Sequence, residues 1–530
     1  MAADLAAVNG TIYTMDPARP VVRAVAISGG RVVALGDDAE VRACIGPRTE
    51  VLDLRGGTAV PGLIDAHVHL VSYGLSLQRV DLTGTRSMSE TVERVRRRAE
   101  RTPHGHWVIG RGWDRNLWSP PTFPNRTVLD AAVREQPVAL GSKDGHALWL
   151  NSAALKELGI DAGPSERWRG QVLRDSEGAP TGILLEDAAQ EAWRRIDAIA
   201  PADLREAIHE ATRAAHRLGV TGVHDCEGGR ELRAFLELWR EGALGLRVYM
   251  MVPKENLEAA VRLGLRTGFG DEWLRIGHLK LFADGSLGSR TADMLDPYEG
   301  EPDNRGIALL EGDELPAVIE EAAHAGIAPA IHAIGDRANR RVLDALERTR
   351  ALWAGARLRP RIEHVQLLTG ADMPRLAEIG VIASMQPIHA TLDWLMAEAY
   401  WGRRCAGAYA WRSLARAGTV LAFGSDCPVE SIDPLAGIHA AVTRQRPDGS
   451  PPGGWYPEQC LTVEQAVQAY TRGAAFAAGE EQLKGCLAPG MAGDILVLSE
   501  DIFRMDPGEI ARTRVVTTVC GGRIVYHADG

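Results

Sequence analysis

Val60-Pro61-Gly62-Leu63-Ile64-Asp65-Ala66-His67-Val68-His69 is the stretch from which the fold can be read. Its first half, Val60–Ile64, is the apolar run of a buried strand, and the stretch ends in two histidines separated by one residue. Alternate residues of a strand point the same way, so His67 and His69 project together from the strand's C-terminal end. Two imidazoles on one face can hold a single borderline metal such as zinc. Alone the pair is a weak signal, because a satisfied surface pair has the same spacing. Its weight depends on what the other strands carry.

Further apolar runs follow at Val220–His224, Leu246–Met251, Ile276–Phe282, Ala328–His332, Arg361–Val365, Val381–Met385 and Val420–Phe423. Amphipathic helical stretches separate most of them, among them Leu204–Leu218, Leu315–Ala325, Ala338–Arg350 and Met373–Ile379. Eight strands with helical crossovers predict an α/β fold, a distorted (β/α)8 TIM barrel. The interval of roughly 150 residues between the first and second strands exceeds any ordinary barrel connection. Residues from about 73 to 201 are therefore expected as an inserted subdomain, which carries several of the 13 Trp.

The two ends read differently. Leu5–Tyr13, Ala24–Ser28, Arg31–Leu35 and Glu50–Leu54 are short β-type runs, with Gly29-Gly30 between two of them as a tight hairpin turn. Asp494–Leu498, Arg514–Val519 and Arg523–Tyr526 resume that style, the last two split by Cys520-Gly521-Gly522. Neither end can build a core by itself. A small β-sandwich made from residues 1–59 and 481–530, bracketing a barrel over 60–480, would solve this.

Composition narrows the function. With 530 residues and 45% hydrophobic content the chain can bury a large core. A balance of 59 Lys+Arg against 70 Asp+Glu, net −11, argues against nucleic acid and anionic membranes as partners. No apolar run approaches the roughly 18 residues of a membrane helix. Met1-Ala2-Ala3-Asp4 lacks a secretory basic region. Seven scattered cysteines, odd in number and never in CxxC, suit reduced cytosolic thiols. The expectation is a cytoplasmic protein acting on a small molecule, with a homodimer as the base-rate assembly.

Ligand-type residues recur at the strand ends. Lys280 lies within the fourth strand, His332 closes the fifth, His364 the sixth and Asp426 the eighth. In a barrel the C-terminal ends converge on one mouth, so residues separated by hundreds of positions would meet there. Each has an ordinary reading alone, as a buried histidine or a surface lysine. As an ordered set they point to a metal site.

The order His-x-His, Lys, His, His, Asp along the strands resembles the amidohydrolase superfamily of metal-dependent hydrolases. The resemblance covers nearly the whole chain, from Val60–His69 to the late run Leu487–Val497. Gly110-Arg111-Gly112-Trp113-Asp114, Asp144-Gly145-His146-Ala147-Leu148-Trp149-Leu150-Asn151 and Gly424-Ser425-Asp426-Cys427-Pro428-Val429 are similar to its YtcJ-like, N-substituted formamide deformylase-like branch. The resemblance implies one or two divalent ions, zinc foremost. His67, His69 and Asp426 would hold the more buried ion and His332 and His364 the more exposed one. Lys280 would bridge them as an N-carboxylated lysine, with an unmodified Lys280 paired to Asp284 as the alternative.

The implied activity is hydrolysis of a non-peptide C–N bond, in an amide, N-formyl or cyclic amide substrate, by metal-activated hydroxide. Asp426 would shuttle the proton. A deaminase or an ester or lactone hydrolase is the alternative on the same scaffold, and a non-catalytic regulatory protein the alternative from another class. Candidates for the supporting roles are His146, as catalytic or substrate-binding donor or else a structural histidine, and Trp113, Asp114, Asp284 and His389 as substrate contacts. Trp113 and Trp118 could equally be core packing. Asp284 could equally cap a loop or steady a ligand. His224, ending the second strand, is a minor candidate.

Overall fold

A computed structural model describes residues 2–143, 147–160, 168, 171–199 and 203–528. Eight strands lie side by side in chain order in one parallel sheet. They are β1 Leu63–Val68, β2 Val220–Asp225, β3 Arg247–Pro253, β4 Leu274–Phe282, β5 Pro329–Ala333, β6 Arg361–His364, β7 Ile382–Met385 and β8 Leu421–Phe423. β1 and β5–β8 are buried at every position, as expected of parallel strands covered on both faces. The architecture is the (β/α)8 barrel expected from the sequence.

The covering helices bury one stripe each. In Glu314–His324 the buried residues Leu315, Ile319, Ala322 and Ala323 recur at helical spacing, and in Asp336–Arg348 Ala338, Val342, Leu343 and Leu346 do. These stripes share a continuous apolar core with Leu279, Leu281, Ile331, Ile362, Met385 and Phe423 of the strands.

One expectation needs correction at the deciding stretch. Val60–Ile64 is not one strand. Thr58–Pro61 belongs to another sheet, and β1 begins at Leu63. Gly62 is the crossing point, where an added Cβ would lie 2.3 Å from the Thr221 hydroxyl oxygen. Only a residue without a side chain lets the backbone pass there.

Two further sheets use the ends of the chain. Leu5–Val8 pairs with Ala24–Ser28 and Glu50–Asp53 in a four-stranded sheet that Arg31–Gly36 completes. Thr58–Pro61 pairs parallel with Thr11–Tyr13 and antiparallel with Ile495–Leu498, which leads on to Val515–Cys520 and Arg523–His527. Leu5, Val25 and Ile27 from one sheet and Ile12, Ala59, Ile495 and Val519 from the other make one apolar cluster. Gly29 and Gly30 adopt φ +57 and +74, and Gly521 and Gly522 φ +57 and +73, so each pair turns its hairpin in the left-handed region.

Residues 72–207 form a second compact unit. It contains a six-stranded mixed sheet in the order Val80–Asp81, Val108–Trp113, Val138–Ser142, Ala147–Leu150, Pro180–Leu185, Gln171–Arg174. Among the described residues no helix is long and apolar enough to cross a membrane.

Candidate metal centre

The site begins where the barrel closes. β1 and β8 are joined past their ends: the Asp426 N–H donates to the His67 carbonyl at 2.7 Å and the His69 N–H to the Cys427 carbonyl at 2.9 Å. Asp65 clamps the junction, its carboxylate accepting the N–H groups of His67 at 3.1 Å and Ser425 at 3.0 Å and the Ser425 hydroxyl at 2.5 Å. Burial pushes the Asp65 carboxyl up to about 7 against those hydrogen bonds. Gly424 permits the approach, since a Cβ there would sit 2.4 Å from the His67 nitrogen. Asp426 and His364 hold φ +60 and +76, a left-handed conformation that non-glycine residues seldom adopt. Such backbone strain concentrates at functional sites.

The carboxylate of Asp426 is the hub. Its Oδ1 lies 3.4 Å from Nε2 of both His67 and His69, and its Oδ2 lies 3.4 Å from Nε2 of His389. Two groups of donor atoms result, each within 4.8 Å of one another: His67, His69 and Asp426, and His364, His389 and Asp426. The His332 ring stands 4.5 Å from that of His364, and the His67 ring 4.9 Å from it. Lys280 Nζ is 3.4 Å from His67 Nε2. Thus His67, His69, Lys280, His332, His364 and Asp426 share one neighbourhood, and His389, expected at the substrate, sits buried against Asp426.

Burial sets the protonation states. It pulls the His67 imidazole down to about 4, with the Lys280 charge adding to it against the opposing charge and hydrogen bond of Glu363. Burial and then Lys280 bring His332 to about 3, and burial and then His332 hold His364 well below the ordinary range. Burial would raise Asp426, but hydrogen bonds to His389 and then His69 hold its carboxyl well below its usual range. His389 is shifted the other way: burial would lower it, but its hydrogen bond to Asp426 and the charge of that carboxylate raise it. The neutral imidazoles of His67, His332 and His364 beside an ionised carboxylate are donors suited to a divalent ion.

A ring nitrogen of each of His67, His364 and His332 is also committed. His67 Nδ1 lies 2.5 Å from Glu363 Oε2, His364 Nδ1 2.7 Å from Gln386 Oε1, and His332 Nε2 2.9 Å from the Gly285 carbonyl. Glu363, Arg361 and Gln386 were not among the sequence candidates. Alternation places Arg361 and Glu363 on one side of β6, and the left-handed φ of His364 brings it to that side too, since both Glu363 and His364 contact His67. Two charged residues at alternate positions of a buried strand were the available signal.

The other candidates take different places. Asp284 does not pair with Lys280; it is buried, its Oδ1 lies 3.4 Å from His332 Nε2, and its carboxylate accepts the N–H groups of Asp293 at 2.9 Å, Ile334 at 3.0 Å and Gly335 at 2.8 Å. It thereby ties down the loop after β5. His224 is fully buried, its Nδ1 2.8 Å from an Arg361 guanidinium nitrogen. His146 lies outside the described residues.

Trp113 is buried in the core of the 72–207 unit, stacked on Trp118 at 5.9 Å, with its indole N–H donating to the Leu140 carbonyl at 2.8 Å. Asp114 follows it, half-buried. Trp113→Ala is expected to cost about 3–5 kcal/mol of that unit's stability, read by urea denaturation. Unchanged stability with a raised KM would instead make Trp113 a substrate contact.

His278 carries a second prediction, on acid stability. It is buried in β4, with Nδ1 2.9 Å from the Tyr249 hydroxyl and Nε2 2.9 Å from the Arg359 carbonyl. Burial, then the Arg361 charge, push it down to about 3. Unfolded histidine titrates near 6.5. Stability is thus fully present above pH about 6.5 and falls toward pH 3, because only the unfolded chain takes up the proton. Urea midpoints should fall across that range, and less steeply in His278→Asn; parallel profiles would exclude His278 as a contributor.

Comparisons with known proteins show the family. Residues 50–526 match the model of the amidohydrolase family. The chain is 30% identical to YtcJ of Bacillus subtilis over 98% of both chains, and 29% identical to the N-substituted formamide deformylase of Arthrobacter pascens over 99% of both. It also superposes on the crystal structure of an uncharacterized metal-dependent hydrolase from Pyrococcus furiosus with a TM-score of 0.76, at 33% identity, covering 94% of this chain and 100% of that one. The chain, a barrel whose strand ends gather histidines round one carboxylate and which the family model matches over nearly its full length, belongs to the amidohydrolase family.

Proposed function

We propose that the protein hydrolyses a non-peptide C–N bond of a small molecule, an amide, N-formyl or cyclic amide, at a centre of one or two divalent ions, with zinc the leading metal. The observation that carries this is Asp426, whose two oxygens face separate histidine groups. His67 and His69 with Asp426 would hold one ion, and His332 and His364 the other. A bound ion supplies Lewis acidity toward the substrate carbonyl and makes water a usable nucleophile at neutral pH.

The protein's own groups supply the rest. Asp426 takes a proton from the attacking water and delivers it to the departing nitrogen, so that water adds across the C–N bond to give a carboxylic acid and an amine. His389 holds the Oδ2 side of that carboxylate in place. Lys280 supports the two-ion form. Its amine is buried beside His67 and the Phe282 ring, and among the described residues no carboxylate forms an ion pair with it. The ammonium loses a proton, and reaction of the neutral amine with carbon dioxide then gives a carbamate and releases a second proton, replacing a buried cation with an anionic oxygen ligand.

The test is elemental analysis of protein expressed with zinc and bicarbonate, followed by a turnover screen of N-formyl amines, acyl amides and cyclic amides. Metal-loaded protein that cleaves one of these classes supports the proposal. Protein that cannot be loaded, or that turns over only esters and lactones, overturns it.

A further inference from the structure

Three histidines of the centre, His67, His332 and His364, differ in what stands behind them. Behind His67 is a carboxylate, Glu363, at 2.5 Å; behind His364 an amide oxygen, Gln386, at 2.7 Å; behind His332 the hydrogen-bond acceptor is a backbone carbonyl, Gly285, at 2.9 Å, with the Asp284 carboxylate farther from the same nitrogen, at 3.4 Å and already taken up by backbone N–H groups. Each acceptor takes the proton of one ring nitrogen and leaves the other nitrogen's lone pair for a metal. They are not equal in strength. An anionic acceptor forms the shorter and stronger bond and raises the donor power of the ring it holds, whereas a neutral amide or peptide carbonyl does so less.

Glu363 is itself held. It is completely buried, and the Arg361 Nε lies 2.5 Å from its Oε1 as an ion pair lying off the line of a hydrogen bond. The remaining Arg361 donors reach His224 Nδ1 at 2.8 Å and the Ala66 carbonyl at 3.1 Å. Ala66 immediately precedes His67, so this one buried guanidinium fixes both the backbone of β1 and, through Glu363, the ring of His67. With Nδ1 on Glu363, His67 Nε2 faces the place where Asp426 Oδ1 and Lys280 Nζ each lie 3.4 Å away. Removing one partner of such a buried charge pair leaves the other uncompensated, so the pair acts as a unit.

We propose that Glu363, paired with Arg361, is a positioning residue that makes the His67–His69–Asp426 half of the centre the tight half, filled first and emptied last, while the half built on His332 and His364 exchanges its ion more readily. This rests on the metal-dependent reading above and adds an order of occupancy to it. Gln386 is the neutral counterpart on the weaker side. Its amide nitrogen has no hydrogen-bond partner among the described residues, so a carboxylate there would strip no bond from the protein.

The experiment is cobalt(II) binding to metal-free protein, by equilibrium dialysis against a competing chelator, for the wild type, Glu363→Gln and Gln386→Glu, with circular dichroism as the check of fold. Two steps of different affinity are expected for the wild type. Glu363→Gln should weaken the tighter step about 10–100-fold and leave the weaker one in place. Gln386→Glu should strengthen the weaker step, a gain that damage to the fold would not produce. An unchanged tight step in Glu363→Gln, or equal weakening of both steps, overturns the proposal. If Glu363→Gln does not fold, Gln386→Glu decides: a weaker step left unchanged or weakened further overturns it. Should the wild type bind a single ion, the proposal survives only if Glu363→Gln weakens that step. A wild type that binds no cobalt overturns the metal-dependent reading as well, which separates the two failures.

Discussion

Asp426→Asn is expected to lower kcat by about 10²–10⁴-fold, the range that a positioned proton-transfer group contributes, while the protein keeps part of its metal. The asparagine carbonyl can still face His67 and His69, as Asp426 Oδ1 does at 3.4 Å from each. What it cannot do is take a proton at the position of Oδ2, the oxygen beside His389. The loss should therefore fall on kcat far more than on KM, since an interaction made only in the transition state is removed. Steady-state kinetics with elemental analysis of the same preparation checks this. Turnover at the wild-type rate would exclude Asp426 from proton transfer and leave it as a ligand alone.

Lys280→Ala is the second large effect. If a carboxylated Lys280 bridges two ions, the truncated protein should hold about half the metal of the wild type and lose roughly 10³-fold or more in activity, because the Lewis acid of one half goes with its ligand. Added short carboxylates, such as acetate or propionate, should restore part of both by entering the space the side chain leaves. An ordinary lysine in this position would behave differently. Its amine has no carboxylate partner among the described residues and lies 3.4 Å from His67 Nε2, so its removal would relieve a buried cation and leave metal content unchanged or raised. Full activity in the variant ends the bridging proposal; lost activity with unchanged metal makes Lys280 a substrate or transition-state contact instead.

These experiments bear on separate parts of the centre. Asp426 touches both histidine groups, Lys280 adjoins His67, and Glu363 acts on His67 from behind. Their effects should not add, because residues that share partners in one network are energetically coupled. A double variant Lys280→Ala, Glu363→Gln that binds metal no worse than the poorer single variant would be in keeping with that coupling.

Much of this was legible in the chain before folding. The (β/α)8 order follows from alternating apolar runs and amphipathic stretches, because strand and helix each impose their own period on the residues that must face a core. His67, His69, His332 and His364 could be placed at one barrel mouth for the same reason: strand ends are marked by where the apolar run stops, and parallel strands put all those stops on one side. Gly29-Gly30 and Cys520-Gly521-Gly522 announced their turns because positive φ is a property of single residues.

What only the tertiary structure decided is everything that depends on a partner far along the chain. Glu363 and His67 are 296 positions apart, and nothing in Arg361-Ile362-Glu363-His364 says which histidine the carboxylate will face. That His389 lies against Asp426 and Asp284 beside His332, with three backbone N–H groups on its carboxylate and not Lys280, could not be read from either residue's neighbours in sequence. Trp113 sits in the same kind of motif whether it packs or binds, and only its burial and its bond to Leu140 separate the two. Val60–Ile64 is apolar throughout, so the change of sheet at Gly62 leaves no mark in the pattern and becomes visible only when Thr221 comes alongside. Periodicity is a local property and reports which face a residue takes. Hydrogen-bond and charge pairing across the barrel is settled by geometry in three dimensions, since the same carboxylate can satisfy any donor that the fold brings within about 3 Å.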